Sequence, residues 1–425
     1  LKDNGGTPTQ GHVLTVDANG EAGFAAAASG GVTSDSNQNT IAGTSAGANF
    51  GAYAVENTLF GYNAGAAITS GDRNVLLGDR CGAALTTGNE NIAIGASCLR
   101  DGQASERNIA IGKLVMQSAT TVEHNVGIGY FALRDLTTGD HNIGIGYDAG
   151  GSLTTGFSNV AIGYKALSSA TTGVDNTCMG SNSGESLTTG RFNNFFGDQA
   201  GYSVTTADDN IFIGRSSGYF STTASKNTGL GNYTCFSLDG NGNGKNTCIG
   251  YYAGASITSG SNNLLLGHEA GHTGSPSGVV QGSSNVICLG DGNITDLYCA
   301  DTTISSSDQR DKTDITSFNL GLTWVEALRP VTYRWDRRTW YGTDEQPYGT
   351  PNGSKKRSRL HIGFLAQEAL EVEKANGYGT SNDDSLIVHL NEDETAYGMK
   401  YERLVPILVN AIKELSTKVK ALEAG

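Results

Sequence analysis

Ser307 stands five residues before Lys312 in the run Ser307-Asp308-Gln309-Arg310-Asp311-Lys312. A serine hydroxyl is a poor nucleophile until a base takes its proton. A lysine amine serves as that base only where burial or neighbouring charge favours its neutral form. The spacing alone assigns neither role. On a continuous helix of 3.6 residues per turn, side chains five apart point away from each other. The segment therefore has to bend, or the lysine has to come from a second chain. Asp239-Gly240-Asn241-Gly242-Asn243-Gly244 fits the first half of a calcium loop, where alternate oxygens face one ion and the sixth residue turns sharply. The twelfth position is Gly250 and not a bidentate glutamate. An asparagine-glycine turn is thus the preferred reading, and calcium at Asp239, Asn241 and Asn243 the weaker one. Seven cysteines make an odd count with no Cys-x-x-Cys pair, so neither a disulfide framework nor a zinc site is expected. Cys81 and Cys98, like Cys178 and Cys248, read as small apolar residues in interior ladders. No metal or other cofactor is expected.

The elements that must position these groups are set by a repeat. Asparagine recurs every seventeen residues from Asn57 to Asn227, and glycine follows each one four places later, from Gly61 to Gly231. A period kept that strictly marks a coil stacked on copies of itself. One coil reads Asn91-Ile92-Ala93-Ile94-Gly95, and the alternation at Ile92 and Ile94 predicts a short strand with one face inward. A second apolar patch and Thr-Thr-Gly follow, as in Leu136-Thr137-Thr138-Gly139. Two short strands and two turns fit seventeen residues, whereas helical repeats need about twice that length. Equivalent asparagines are expected to form an amide ladder. Coils stacked at sheet spacing from Asn39 to Gly290 give a rod of roughly 70 Å. Spacing loosens towards the end of the repeats, to 19 residues at Asn246, back to 17 at Asn263 and then 22 at Asn285, and such insertions map to loops, the better candidates for binding surfaces.

Composition agrees with a fibrous body. The chain has 60 glycines in 425 residues and a net charge of −14. Before residue 306 lie 24 of the 42 acidic residues but only 12 of the 28 basic ones, which argues against nucleic acid or an anionic membrane as partner. No run of eighteen apolar residues exists to span a bilayer. Leu1 in place of methionine, with no signal-peptide pattern, reads as a piece of a longer protein. Each coil carries about three sizeable apolar side chains, thin cover against backbone ordering at roughly 1 to 2 kcal/mol per residue. Several chains around one axis would bury the remaining apolar edges.

Past Thr302 the repeat stops. All three tryptophans and four of the six prolines lie beyond residue 306, a composition that supports a globular core. Residues 1–38 read as a connector and linker, 39–302 as the rod, and 303–425 as a separate domain, with 303–402 globular and 403–425 helical. Leu404, Leu408, Ala411, Leu415 and Leu422 follow coiled-coil spacing.

Two resemblances follow from quoted residues. Gly5-Gly6-Thr7-Pro8-Thr9-Gln10-Gly11-His12-Val13-Leu14-Thr15-Val16-Asp17 is similar to a connector of phage tail fibres and related surface fibres, with Ala25 to Ala28 and Ser29-Gly30-Gly31 as a flexible joint. The last 120 or so residues resemble the C-terminal intramolecular chaperone of phage endosialidases and other tail fibres, an auto-cleaving serine-lysine peptidase family. That resemblance rests on the Ser307 to Lys312 run, on Leu328-Arg329-Pro330-Val331-Thr332-Tyr333-Arg334-Trp335, on His361-Ile362-Gly363-Phe364-Leu365-Ala366-Gln367-Glu368, and on Tyr401 through Leu415. It implies Ser307 as nucleophile and Lys312 as base, with Asp308 and Arg310 shaping the turn and His361, Gly363, Gln367 and Glu368 as a chaperone-domain motif. It also implies a trimeric helical bundle at the end of the chain.

The expected fold is mainly β: a trimeric parallel β-solenoid or β-roll rod of 17-residue coils, followed by an α+β chaperone domain ending in a coiled-coil helix. The expected function is a homotrimeric virion fibre or surface adhesin that attaches to a host glycan or protein and joins other fibre components at its N-terminus. Its chaperone would direct register and then release itself. The rival is a polysaccharide-depolymerising tailspike, which needs paired carboxylates about 5 to 9.5 Å apart, and the acids of the repeats are scattered.

Overall fold

The computed structural model describes residues 12–16, 22–26, 32–238, 244–294, 309–342, 346, 348–381, 383–390 and 397–424. The chain divides into two compact units, 1–270 with 280–287, and 271–279 with 288–425.

In the first unit, β1 (His12–Val16) and β2 (Ala22–Ala26) form an antiparallel hairpin. Ala25 and Ala26, read in the sequence as part of a flexible joint, belong to β2. β3 (Thr33–Ser34) pairs antiparallel with β4 (Thr40–Ala42). From β4 the strands run parallel, one per coil and three residues each, ending at β18 (Ile287–Leu289). This is a parallel β-solenoid. Only one strand forms per coil, where the sequence suggested two. The second side of each coil is a run of turns, tied to its neighbours by bonds such as Thr137 N–H to the Thr154 carbonyl at 2.9 Å. Threonine hydroxyls add a parallel ladder there, Thr120 to the Thr137 carbonyl at 2.8 Å and Thr137 to that of Thr154 at 3.0 Å.

The asparagine ladder forms. Asn91 donates its side-chain amide to Asn74 Oδ1 at 2.9 Å and to the Ser105 carbonyl at 2.7 Å, and its backbone N–H reaches the same Asn74 oxygen at 3.1 Å. Every such amide from Asn57 to Asn263 is almost fully buried and bonds the rung before it, as burial of a polar group requires. The ladder ends differently from the sequence expectation. Asn263 Oδ1 accepts from Val286 N–H at 2.9 Å, while Asn285 pairs with the outer Asn262 at 2.7 Å. The last interval is 23 residues, and Val286 takes the ladder position.

The inward face of each strand is that of its middle residue. Ala93 is fully buried while Ile92 and Ile94 are 39% and 37% exposed. The coil closes on the side of its middle residue, so this row enters the core: Leu59, Leu76, Ala93, Ala110, and later Phe195 and Phe212. Core volume is balanced within many of the coils. Where the central residue is large, the position six further on is glycine, as in Leu76 with Gly82 and Phe212 with Gly218. Where it is alanine, that position holds Leu99 or Met116, both at a left-handed φ of 48°. That conformation disfavours a side chain by about 1 kcal/mol, which filling the core offsets. At the corner, Gly129 adopts φ +124° and an added Cβ would lie 2.5 Å from the Gly146 carbonyl oxygen, so only glycine fits.

The second unit holds α1 (Leu322–Ala327), β19 (Val331–Tyr333), β20 (His361–Gly363), α2 (Ala366–Ala375), β21 (Val388–Leu390), β22 (Tyr397–Met399) and α3 (Leu404–Glu423). β19 pairs antiparallel with β20, and β21 with β22. Trp324, Ala369, Ile387, Val388, Leu404 and Ile407 make its core. Leu404 and Ala411, expected on the coiled-coil seam, are instead buried, while Leu408, Leu415 and Leu422 are exposed. No helix among the described residues is long and apolar enough to cross a membrane.

Candidate functional site

Ser307 and Asp308 lie outside the described residues, as do Asp239, Asn241 and Asn243. Arg310 sits in the tight 3₁₀ turn Gln309–Asp311, closed by Lys312 N–H donating to the Gln309 carbonyl at 3.2 Å. The chain therefore bends just ahead of Lys312. Both Arg310 and Lys312 are exposed in the single chain.

The remaining motif residues converge on the β19–β20 pair and the start of α2. The β19–β20 register sets Tyr333 opposite His361, whose rings stack at 5.5 Å. Gly363 is buried, and a Cβ there would meet the Tyr401 hydroxyl at 2.6 Å. That hydroxyl accepts from Phe364 N–H at 3.1 Å, so glycine is needed to let the Tyr401 block close on the His361 block. Glu368 lies in the first turn of α2, where the helix dipole favours a carboxylate. Its Oε2 accepts from Arg329 Nε at 3.1 Å, and a second, shorter bond joins Arg329 Nη2 to Oε1. The guanidinium holds the Glu368 carboxyl below its ordinary range. Both groups are solvent-exposed, so the pair contributes alignment more than energy. Gln367 is exposed.

Helix α3 is fixed from the other side. Leu322 N–H donates to Glu414 Oε2 at 3.0 Å, and Asn410 Nδ2 donates to the Phe318 carbonyl at 2.6 Å. The blocks around Arg329, His361 and Tyr401 are thus parts of one scaffold. Chemically, the described portion is a positioning frame: it anchors α3 and holds the segment after Lys312 against α1.

Residues 307–378 match the family model described as chaperone of endosialidase. The match carries Ser307, Lys312, Arg329, His361, Gly363, Gln367 and Glu368, and stops short of β21, β22 and α3. No curated protein and no solved structure matches the chain. The protein is a β-solenoid followed by a unit in which residues 307–378 are similar to the chaperone of endosialidase.

Sequence reasoning missed two groups in this unit. Glu373 is a fully buried carboxylate on α2; its place four residues after buried Ala369, where an apolar residue was due, was the available signal. Arg337, between Trp335 and Trp340, has a buried Nε without a hydrogen-bond partner among the described residues.

Proposed function

We propose that the chain is one subunit of a homotrimeric fibre, a tail fibre or surface fibre of a virion, that presents its solenoid to a host glycan or protein. Its N-terminal part would join other fibre components. The chaperone unit aligns three chains, and Ser307, with Lys312 as base and Asp308 and Arg310 shaping the turn, then cuts the chain once.

The observation that carries this reading is the outward face of the solenoid strands. Rows such as Val75, Ile92, Ile109, Val126, Ile143 and Val160, with Leu77, Ile94, Ile111, Ile128, Ile145 and Ile162 beside them, are partly exposed in the single chain. At roughly 50 Å² per side chain over fourteen coils, the face exceeds about 1,000 Å², against about 300–600 Å² for the largest apolar patch of a typical monomer. It also reaches the ~800 Å² per partner of a stable interface. Copies of the same face are its natural cover, because identical coil spacing brings row against row.

Near-identical coils can pair out of register, each slip shifted by one coil. A terminal domain that associates first removes that ambiguity. Cleavage then deletes the template, and the fibre persists by its unfolding barrier and not by equilibrium. The exposure of Lys312 in one chain fits a base completed by assembly, since the burial a lysine base requires would come from a neighbouring copy.

Intact mass combined with light scattering on the wild type, Ser307→Ala and Lys312→Ala tests this. Both variants should give full-length trimers. A variant that is still cut removes the serine-lysine assignment, and a monomeric wild type removes the fibre.

A further inference from the structure

Between Arg334 and His361 the chain carries seven basic residues and three acidic ones, in a protein whose net charge is −14. A cavity of about 240 Å³ opens in the second unit, walled by Trp335 and Trp340 and lined by Arg337, Arg357 and Arg359, with His361 beside them. No carboxylate lines it among the described residues. The Arg337 guanidinium lies 4.4 Å from the Trp335 ring centre and that of Arg357 lies 5.0 Å from Trp340, contacts that fix both planes. Arg337 Nε is buried with no hydrogen-bond partner among the described residues. Burial pushes this guanidinium's pKa down, and Arg357 nearby adds to it. A buried orphan donor among like charges calls for a bound anion.

We propose that this cavity binds a carboxylate side chain of an acidic polypeptide segment. Guanidinium groups held flat by aromatic rings offer parallel N–H pairs that match a planar carboxylate. The cavity is smaller than the usual 300–1,000 Å³ or so of small-molecule sites and takes a side chain. The repeats of this protein supply such segments, since 24 acidic residues against 12 basic ones precede residue 306. The site gives the chaperone unit a means of holding unfolded repeat chain by charge, and it requires neither cleavage nor trimer formation.

Tryptophan emission of the full-length protein reads the site directly. Trp335 and Trp340 wall the cavity, and the third tryptophan, Trp324, is fully buried and serves as an internal reference. A glutamate-rich peptide should produce a saturable change that weakens as salt is raised. Arg357→Gln alters an exposed side chain and should weaken binding at least tenfold, while Arg357→Lys, which keeps charge but loses the fork, should fall between. Absence of a saturable change, an unchanged affinity in Arg357→Gln, or inorganic phosphate saturating at the same concentration as the peptide would each overturn the proposal. Subunit mass and cleavage measured on the same samples keep this outcome separate from that of the fibre reading.

Discussion

Glu373 Oε1 stands 2.8 Å from the backbone nitrogen of Val388. The same carboxylate accepts from the amides of Leu386 and Ile387, each at 2.8 Å, and from the Ser385 hydroxyl at 3.0 Å. One buried side chain therefore fixes the entry of β21 onto α2. Alanine at 373 leaves three amides without an acceptor, each worth about 1–3 kcal/mol. The expected loss is about 3–5 kcal/mol. Glutamine keeps one acceptor oxygen but turns a donor towards donors, so it should lose less. All tryptophans lie beyond residue 306, so denaturant unfolding followed by tryptophan emission reads this unit alone. An unchanged midpoint in Glu373→Ala would contradict the assignment.

The asparagine ladder makes a second, position-dependent prediction. Asn142 donates to Asn125 Oδ1 at 3.2 Å and to the Gly156 carbonyl at 2.9 Å, and its oxygen receives the backbone and side-chain amides of Asn159 at 3.0 and 3.1 Å. Asn142→Ala orphans groups on both neighbouring coils, at about 2–4 kcal/mol. Asn263 is the last rung, and among the described residues its oxygen serves only Val286 N–H. Because each coil couples only to its neighbours, Asn142→Ala should split thermal unfolding into two steps by circular dichroism. Asn263→Ala should leave one transition, slightly lowered.

The period was legible because it is imposed by backbone. Asparagine and glycine recur where only an amide ladder and a positive φ satisfy the coil, so both are visible at fixed spacing. Which strand face turns inward was not legible, since Ile92-Ala93-Ile94 alternates equally well for either face. The curl of the coil decides, and Ala93 fits a narrow interior that two isoleucines do not. The helix seam was misread for a related reason. Leu404 and Ala411 have the right spacing for partner helices, yet Leu404 packs in the core with Trp324 and Ile387 and Ala411 is buried beside Gly321, residues far away in sequence. Of the candidate site, the blocks around Arg329, Gly363 and Glu368 were legible as local words. Their meeting through Tyr401 was not, because it depends on the fold of α3.

Acid should loosen one loop of the second unit before the rest. Asp384 accepts from Thr380 Oγ1 and Ser381 N–H, both at 2.6 Å, and these bonds lower its pKa to about 2. The folded value lies below the ordinary 3.8, so the stabilising effect is present above that value and is lost as pH falls towards about 2. The group is exposed, so the effect is modest. Asp384→Asn should remove the part of the acid dependence that falls in this window, measured as denaturant midpoints at a series of pH values by tryptophan emission. An unchanged acid profile would assign the acid sensitivity elsewhere.

Helix α3 carries two apolar faces, and they can be separated experimentally. Leu404, Ile407 and Ala411 are buried in their own unit, whereas Val405, Leu408, Ile412, Leu415, Val419 and Leu422 are 43–83% exposed. The exposed set alternates spacings of three and four, the a and d positions of a coiled coil. Leu415→Lys should leave the tryptophan unfolding midpoint almost unchanged but reduce subunit association in light scattering. Ile407→Ala should do the opposite, costing about 2–5 kcal/mol in stability with association retained. The a positions hold β-branched Val405, Ile412 and Val419 and the d positions hold leucine, a pattern that in isolated parallel coiled coils favours two strands. In the proposed trimer a third chain would then be selected by other surfaces, foremost the outward rows of Ile94, Ile111 and Ile128. Ile111→Lys combined with Ile128→Lys should then shift the full-length protein from three copies towards two, and a trimer that survives both changes would remove the solenoid face from the interface.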